Sequence, residues 1–225
     1  IELWKEKKMK TKTVAIIPIK KNSKRVPGKN FVKINNVPLY EILLKKVIKC
    51  NFDEIYVDSD SEVIKKFCKK NGLFYLKRLP KLALDSANGN DLLNYHHKII
   101  KADNYFQLFI TSPLMSVNTI NKCIKILKQN KKIDSKLTCK SIYSWFWFKG
   151  KPINYKPKVL PRSQDAKPVV IETTGLYGIK EKSLKKRKCR IGKKPFFFEV
   201  PNHEDLDLDN KEDFEYLSYI TKKWL

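Results

Sequence analysis

Cations cluster in a short loop directly behind the first apolar run of the chain. Residues 14–19 form a β-branched run bounded by polar residues, which is typical of a buried parallel strand. The loop behind it places five cations among small polar residues: Lys20, Lys21, Lys24, Arg25 and Lys29, with Ser23, Gly28 and Asn30. Ligands of open α/β sheets bind beyond the carboxyl ends of strands, where cations, backbone N–H groups and a glycine suit phosphates. The loop therefore predicts a polyphosphate site.

Two aspartates near the C-terminus form a second candidate site. Asp207 and Asp209 alternate with Leu206 and Leu208, so in an extended chain both carboxylates face the same side. Mg²⁺ commonly takes one or two protein carboxylates, and phosphate and water complete its shell. The alternative is an acidic cap before the final helix, where negative charge is favourable. The spacing alone leaves both interpretations open.

The composition indicates one domain with a substantial core and an unusually high positive charge. The chain has 225 residues, 42% of them hydrophobic, and no apolar run approaches the ~20 residues of a membrane-spanning helix. The net charge of +25 raises the alternative of nucleic-acid binding, but the lysines are spread along the whole chain rather than along one stripe. Five cysteines without a C-x-x-C pair predict reduced thiols in the cytoplasm.

Apolar runs that alternate with helical patterns predict an α/β fold with a mostly parallel sheet. Strands are expected at 14–19, 54–58, 73–76, 105–110, 169–179 and 196–200, and helices near 39–50, 61–70, 91–101, 116–129 and 211–224. The charged residues 1–12 are interpreted as a disordered N-terminal extension, and 13–225 as a single domain. An aromatic, alternating pattern predicts a small β excursion at about 134–168.

The first strand and its loop resemble the acylneuraminate cytidylyltransferases, the CMP-sialic acid synthetase family. The family segment reads approximately I-I-P-A-R-x-x-S-K-R-x-P-x-K-N, and the chain matches it at Ile16, Ile17, Pro18, Ser23, Lys24, Arg25, Pro27, Lys29 and Asn30. Lys20 stands where the family has Arg, so the charge is kept while bidentate phosphate geometry is lost.

Further segments carry the same resemblance. The run from Thr111 to Leu114 matches the family's L-Q-P-T-S-P-L-R, with Phe109 and Met115 in place of its Gln and Arg. The segment from Arg78 to Asp85 is close to R-P-x-x-L-A-x-D, and Gly175 falls in the family's N-G-A-I-Y. Asp207 and Asp209 fall on a family aspartate pair, whereas Ile171 or Glu172 stands where a family Arg faces the sugar carboxylate. The departures lie on the sugar side of the motifs.

The resemblance implies a Rossmann-like, nucleotide-diphosphosugar-transferase fold and the reaction CTP + sugar acid → CMP-sugar + pyrophosphate with Mg²⁺. It implies catalytic roles for Lys20, Lys29 and Asp209, and metal binding by Asp207 and Asp209. Nucleotide contacts are expected from Ser23, Lys24, Asn30, Arg78 and Asp85, and substrate contacts from Thr111, Ser112 and Gly175.

Partners follow from the same resemblance. CTP and a nonulosonic (sialic-type) acid are the expected substrates, and the excursion, with Trp145, Phe146, Trp147 and Phe148, is expected to supply a homodimer contact. The alternative for these aromatics is ordinary core packing. The alternative for Arg78 is a surface position without a role in binding the nucleotide. No membrane is expected. Two rival functions remain: a nucleotidyltransferase for a different sugar acceptor, and a basic nucleic-acid-binding protein.

Overall fold

The computed structural model describes residues 11–23 and 26–222. Its strands are β1 (Thr13–Ile19), β2 (Lys33–Ile34), β3 (Val37–Pro38), β4 (Glu54–Ser59), β5 (Phe74–Lys77), β6 (Asn104–Leu108), β7 (Ser135–Ile142), β8 (Trp147–Phe148), β9 (Lys151–Pro152), β10 (Val169–Lys180) and β11 (Pro195–Glu199). Its helices are α1 (Leu39–Val47), α2 (Glu62–Lys70), α3 (Pro80–Ala83), α4 (Gly89–Ile99), α5 (Val117–Gln129), α6 (Glu181–Arg187) and α7 (Lys211–Lys222). Lys24 and the first ten residues of the expected N-terminal extension lie outside the described residues.

Seven of the strands form one mixed sheet in the order β11-β7-β10-β6-β1-β4-β5. β1 pairs in parallel with both β4 and β6, β4 pairs in parallel with β5, and β11 pairs in parallel with β7. β10 runs antiparallel to both of its neighbours, β6 and β7. The predicted α/β fold with a mostly parallel sheet is therefore confirmed. The chain leaves β1 on one side and returns to β6 on the other, which creates a switch point at their carboxyl ends.

Alternating side chains of β1 supply two separate hydrophobic layers. Ala15, Ile17 and Ile19 pack in the core that contains apolar residues of α1 and α5. Val14 and Ile16 pack on the opposite face, with residues of α4 and α6. Every one of these β1 side chains is fully buried, so the strand and the loop that follows it are anchored from both faces.

The expected excursion at about 134–168 is shorter in the structure. β7 belongs to the main sheet, because residues 135–139 are buried on both faces between β11 and β10. The segment that leaves the sheet carries the small β8–β9 hairpin. Trp147 is 57% exposed and Phe148 63% exposed there, which excludes core packing for these two aromatics.

Short elements account for what the sequence pattern did not predict. The β2–β3 hairpin has only two residues a strand, and its turn is built from Asn35 and Asn36, both with positive φ. The sequence of α6 shows no helical spacing of apolar residues, because Leu184 is its one buried residue. All of the longer predicted strands and helices are present within a few residues of their predicted ends.

The five cysteines of the chain are free thiols, four of them buried. Within the described ranges, the helices are too short or too polar to cross a membrane.

Candidate functional site

The loop after β1 folds back so that its predicted site residues meet. Gly28 adopts a left-handed backbone, with φ of 68°, and leads into a 3-10 turn that buries Lys29 and Asn30. The Asn30 amide donates to the main-chain oxygen of Lys20 at 2.7 Å, and the Lys20 ammonium pairs with Asp85 at 2.7 Å. Ser23 lies half-buried in the same loop. The structure thus brings Lys20, Asn30 and Asp85 together at the carboxyl end of β1.

The acidic segment is inserted between this loop and the loop after β6. The main-chain N–H of Leu208 donates to the main-chain oxygen of Thr111 at 2.8 Å. From the other side, the Lys29 ammonium donates to the Leu208 oxygen at 2.5 Å and lies 3.3 Å from an Asp209 carboxylate oxygen. Two predicted sites that are far apart in the sequence therefore lie together at the switch point.

The two carboxylate oxygens of Asp207 differ in their contacts with the described residues. Its Oδ2 accepts a hydrogen bond from the Thr174 hydroxyl at 2.6 Å. Its Oδ1 is buried and accepts no hydrogen bond from any residue in the described part of the chain. A buried carboxylate oxygen without a donor is unfavourable, and a cation would satisfy it.

The donor set suits a hard cation bound together with phosphates. Across residues 11–23 and 26–222, no group of three or more His, Cys, Asp or Glu side chains is arranged to hold a metal. If a cation bound here, Asp207 and the half-buried Asp209 would supply two carboxylates and leave other positions to ligand oxygens and water, which is how Mg²⁺ is commonly held.

The alternative role of the two aspartates, a cap for α7, is filled by other residues. The Asp213 carboxylate accepts from the N–H groups of Asp209 and Asn210 at 2.6 and 2.9 Å. The Asn210 side chain accepts in return from the Asp213 N–H at 3.0 Å. This reciprocal pair is a capping box, so the carboxylates of Asp207 and Asp209 are not needed to start the helix.

The loop after β6 packs tightly against Gly175 of β10. A Cβ atom on Gly175 would lie 2.7 Å from the Met115 methyl and 2.8 Å from the Ser112 side chain, so a glycine is required there. The Gly175 oxygen also accepts from the Phe109 N–H at 3.0 Å. The Ser112 hydroxyl is buried and has no hydrogen-bond partner among the residues described. The structure therefore brings Thr111, Ser112 and Gly175 together beside the acidic segment.

Arg78 is a buried residue and not a surface one. Its Nε pairs with the Asp58 carboxylate and its Nη2 donates to the Asp58 main-chain oxygen at 3.1 Å. His96 Nε2 contacts the second Asp58 carboxylate oxygen at 2.7 Å. Burial alone would raise the pKa of Asp58, but the His96 hydrogen bond and the Arg78 charge outweigh it and hold that pKa below its usual range. The role of Arg78 toward a nucleotide stays a prediction.

Thr174 is a site residue that the sequence analysis missed. It adopts φ of 56° where the pairing of β10 with β7 shifts register, between Glu172 and Tyr177. A β-branched residue is strongly disfavoured in this left-handed region, so the residue type at position 174 does not predict the backbone conformation found there. Its hydroxyl is what holds Asp207. Asp58 was also missed, although a charged residue at the end of an apolar strand is itself a signal.

Comparison with known proteins assigns the chain to a family. A family model described as "Cytidylyltransferase" matches residues 14–196. The chain belongs to the cytidylyltransferase family. It is 24% identical over 206 residues to N-acylneuraminate cytidylyltransferase A of Danio rerio, with 87% of this chain and 48% of that protein covered. This cytidylyltransferase chain thus spans about half the length of the curated relatives it matches.

Three further proteins are similar to this chain, one in sequence and two in fold. A Helicobacter pylori protein, named as a pseudaminic acid cytidylyltransferase and a UDP-sugar hydrolase, is 25% identical over 79% of this chain and 36% of its own length. A CMP:2-keto-3-deoxy-manno-octonic acid synthetase complexed with CTP has a TM-score of 0.69 at 16% identity, covering 96% of this chain and 100% of its own. A 4-diphosphocytidyl-2C-methyl-D-erythritol synthase from Anaerococcus prevotii has a TM-score of 0.68 at 13% identity, covering 94% of this chain and 96% of its own. These structures show the nucleotidyltransferase fold.

Proposed function

We propose that the protein transfers CMP from CTP to a sugar acid of the nonulosonic, sialic type and releases pyrophosphate. The observation that carries this proposal is the convergence at the switch point. Lys29 joins the cationic loop to the segment of Asp207 and Asp209, and Asp207 there has a buried oxygen that receives no hydrogen bond from the described residues. Family membership and the names of the relatives support CTP and a sugar acid as the substrates.

The cationic loop would bind the triphosphate. Lys20 and Lys29, with Lys24 outside the described residues, supply ammonium groups beside the phosphates, and Ser23 supplies a hydroxyl. The acceptor hydroxyl attacks the α-phosphorus of CTP, a P–O bond forms there, and the bond to the β-phosphate oxygen breaks as pyrophosphate leaves. In phosphoryl-type transfer the protein mainly positions the reactants and neutralises charge. We assign Asn30, Arg78 and Asp85 to the cytidine side.

Asp207 and Asp209 would hold a Mg²⁺ ion. Such an ion neutralises phosphate charge and lowers the pKa of a coordinated hydroxyl when it is bound. Thr174 fixes one Asp207 oxygen and leaves the other available, while Lys29 fixes the position of Asp209. These contacts set the orientation of both carboxylates before any ligand arrives.

The acceptor would lie against the loop after β6. Thr111, the Ser112 hydroxyl and the bare backbone of Gly175 line this side. Met115 is 1% exposed and packs at Gly175, so an apolar side chain stands here where the resembled family carries Arg. This observation favours a second candidate, a cytidylyltransferase for a sugar acid other than ordinary sialic acid. Nucleic-acid binding gives no role to the acidic segment that lies against the cationic loop.

The decisive experiment is pyrophosphate release with Mg²⁺, with CTP, UTP, ATP or GTP offered against a panel of nonulosonic and related sugar acids. We expect release that requires CTP and one class of acid. Release with no combination of nucleotide and acid would contradict the proposal. Binding to DNA or RNA that falls steeply with salt would then favour the nucleic-acid alternative.

The exposed apolar surface of the excursion suits a second copy of the chain. Trp147, Phe148, Val159 and Leu160 are all more than half exposed, which is unusual for large apolar side chains of a monomer. We therefore propose a homodimer formed through this surface. The free thiols suit a reducing cytoplasm as the place of action.

A further inference from the structure

A group of unassigned residues lies at the carboxyl end of β6, next to the switch point. Gln107 and Phe109 face the same side of the sheet because they are two residues apart. Tyr177 of β10 is the register partner of Gln107, and its ring contacts the Phe109 ring edge to face at a centroid distance of 6.3 Å. None of the roles proposed above uses Gln107, Phe109 or Tyr177.

Arg190 reaches this group from the segment between α6 and β11. Its guanidinium carbon lies 3.6 Å from the centroid of the Tyr177 ring and 5.8 Å from that of Phe109. Its main-chain N–H is held by the Asn90 side chain at 2.8 Å. Stacking on an aromatic face fixes the plane of a guanidinium and leaves its N–H edge available to a planar anion.

The surroundings are built to admit this side chain. A Cβ atom on Gly89 would lie 2.6 Å from Arg190 Nη1, so the guanidinium lies directly against the Gly89 backbone. No carboxylate of the described residues forms an ion pair with Arg190. The nearby Glu172 carboxylate instead accepts from the Tyr177 hydroxyl at 2.6 Å. Arg190 is thus a half-buried, oriented cation without an anionic partner in the described chain.

Gln107 adds an acceptor beside this cation. The side chain is fully buried, and its amide nitrogen donates to the Gly89 oxygen at 3.0 Å, which fixes the direction of the amide. Its Oε1 receives no hydrogen bond from the described residues and faces the same space above Gly89 as Arg190 Nη1. A ligand bound at this guanidinium must bring an anion for Arg190, and a part of it that reaches Gln107 must bring a donor for Oε1.

We propose that Arg190 binds the carboxylate of the sugar acid and that Gln107 accepts a hydrogen bond from a hydroxyl or amide N–H of the same molecule. A planar guanidinium matches the two oxygens of a carboxylate, whereas the phosphates have their own cationic loop after β1. The sequence offers Ile171 or Glu172 where an arginine for the carboxylate was expected, and Arg190 supplies that charge from a different segment. This inference rests on the proposed function.

The test compares a sugar acid with its methyl ester, which keeps the hydroxyl groups and removes the negative charge. The acid is the one that supports pyrophosphate release from CTP by the unaltered protein. We expect the ester to be used about 100-fold less well, as charged hydrogen bonds of this kind allow. Arg190→Gln is expected to raise KM for the acid by about 10- to 100-fold. In this variant kcat/KM for the acid and for the ester should be nearly equal.

Control variants distinguish loss of carboxylate recognition from misfolding and from a long-range electrostatic effect. Arg190→Lys keeps the positive charge but loses the planar guanidinium that can bind both oxygens of a carboxylate. It is expected to raise KM for the acid by about tenfold and to leave KM for CTP within about twofold of the unaltered protein's value. Lys186→Gln removes one exposed charge from the neighbouring helix and is expected to change neither KM. Thermal unfolding with and without CTP reports that each variant folds and binds nucleotide.

The outcomes distinguish the two proposals. No pyrophosphate release by the unaltered protein with any acid overturns the proposed function, and this inference with it. Release that uses acid and ester equally well, or an unchanged KM for the acid in a folded Arg190→Gln protein, overturns the assignment of Arg190 alone.

Discussion

The side-chain ammonium of Lys29 donates a 2.5 Å hydrogen bond to the main-chain oxygen of Leu208, which lies 179 residues further along the chain. The same ammonium lies 3.3 Å from the Asp209 carboxylate. One buried cation thus fixes both the backbone and a side chain of the acidic segment. The loop after β1 and the two aspartates are held as a single unit, and Lys29 is the contact that joins them.

Removal of the Lys29 ammonium should therefore damage catalysis more than folding. We expect Lys29→Ala to lower kcat/KM for CTP by roughly 10²-fold or more, as loss of one preorganised charge typically does. Steady-state pyrophosphate release measures the effect. Lys33→Ala removes an exposed charge four residues away and serves as the matched control, with an expected rate near that of the unaltered protein. An unchanged rate in Lys29→Ala would remove it from the site.

The two aspartates should control the response to Mg²⁺. Asp207→Asn and Asp209→Asn are each expected to raise the Mg²⁺ concentration at half-maximal rate by about tenfold or more, because each removes one anionic ligand. Asp205→Asn is the matched control, since Asp205 pairs with Lys140 at 2.9 Å instead. The measurement is a Mg²⁺ titration of pyrophosphate release at saturating CTP. Superimposable titrations for all four proteins would refute the metal assignment.

Gly175 should be required for sugar-acid binding by the loop after β6 as well as for the stability of the fold. We expect Gly175→Ala to cost about 1–3 kcal/mol in free energy of unfolding and to raise KM for the sugar acid, since the new methyl displaces Ser112. Gly178→Ala is the comparison, because its Cβ would lie 2.5 Å from the Phe106 ring in the core. It should lower stability similarly and leave KM unchanged. Equal KM changes in both variants would assign them to general destabilisation.

The Asp58 carboxylate should make the free energy of unfolding fall as the pH is lowered into the acid range. Its pKa is lower in the folded protein than the value of about 3.9 expected when unfolded, so its stabilisation is complete above pH 4 and is lost as pH falls through the folded pKa. Asp58→Asn leaves Arg78 buried without its anion and should cost about 3–5 kcal/mol at pH 7. Below pH 4 the difference from the unaltered protein should narrow.

Urea unfolding at several pH values from 7 to 2.5 measures this difference. Asp165→Asn is the control, because that half-exposed carboxylate pairs with Arg162 at the surface. Its unfolding free energy should follow that of the unaltered protein at every pH. A constant difference between Asp58→Asn and the unaltered protein down to pH 2.5 would contradict the assigned direction of the Asp58 pKa.

The exposed aromatics should control association if they form the dimer contact. We expect Trp147→Ser combined with Phe148→Ser to shift sedimentation from dimer to monomer, because both residues are more than half exposed in the single chain. Phe74→Ser is the comparison: Phe74 is 51% exposed and lies on β5, at the opposite edge of the sheet. A monomer in the unaltered protein, or a dimer in the double variant, would contradict the proposal.

The central fold and the meeting of its loops could be predicted from local patterns. The apolar run at 14–19 predicts a buried parallel strand, and the carboxyl ends of such strands collect the loops that bind ligands. The cations after that run and the aspartate pair at 207 and 209 are therefore recognisable before any contact is known. Their joining through Lys29 follows from this rule, although no local signal specifies which cation makes the contact.

The remaining features depend on contacts between distant segments. β7 was predicted as part of an excursion because its sequence does not show that β10 and β11 flank it. The left-handed backbone of Thr174 is held by its bond to Asp207 against its own preference. Arg190 gives no motif at all, and only the placement of Tyr177 and Gly89 shows where its guanidinium lies.

The position of β10 has a consequence for synthesis on the ribosome. β6 and β7 follow each other in the chain, yet β10 lies between them in the sheet. β6 can pair with β1 without β10, but until residues 169–180 have been synthesised β6 keeps one unpaired edge and β7 has no strand that links it to β6. Such unpaired strand edges can bind other chains. Insertion of β10 closes both edges at once and brings Gly175 against Ser112. A pause in translation before this strand would therefore prolong the period in which the chain is most prone to aggregate.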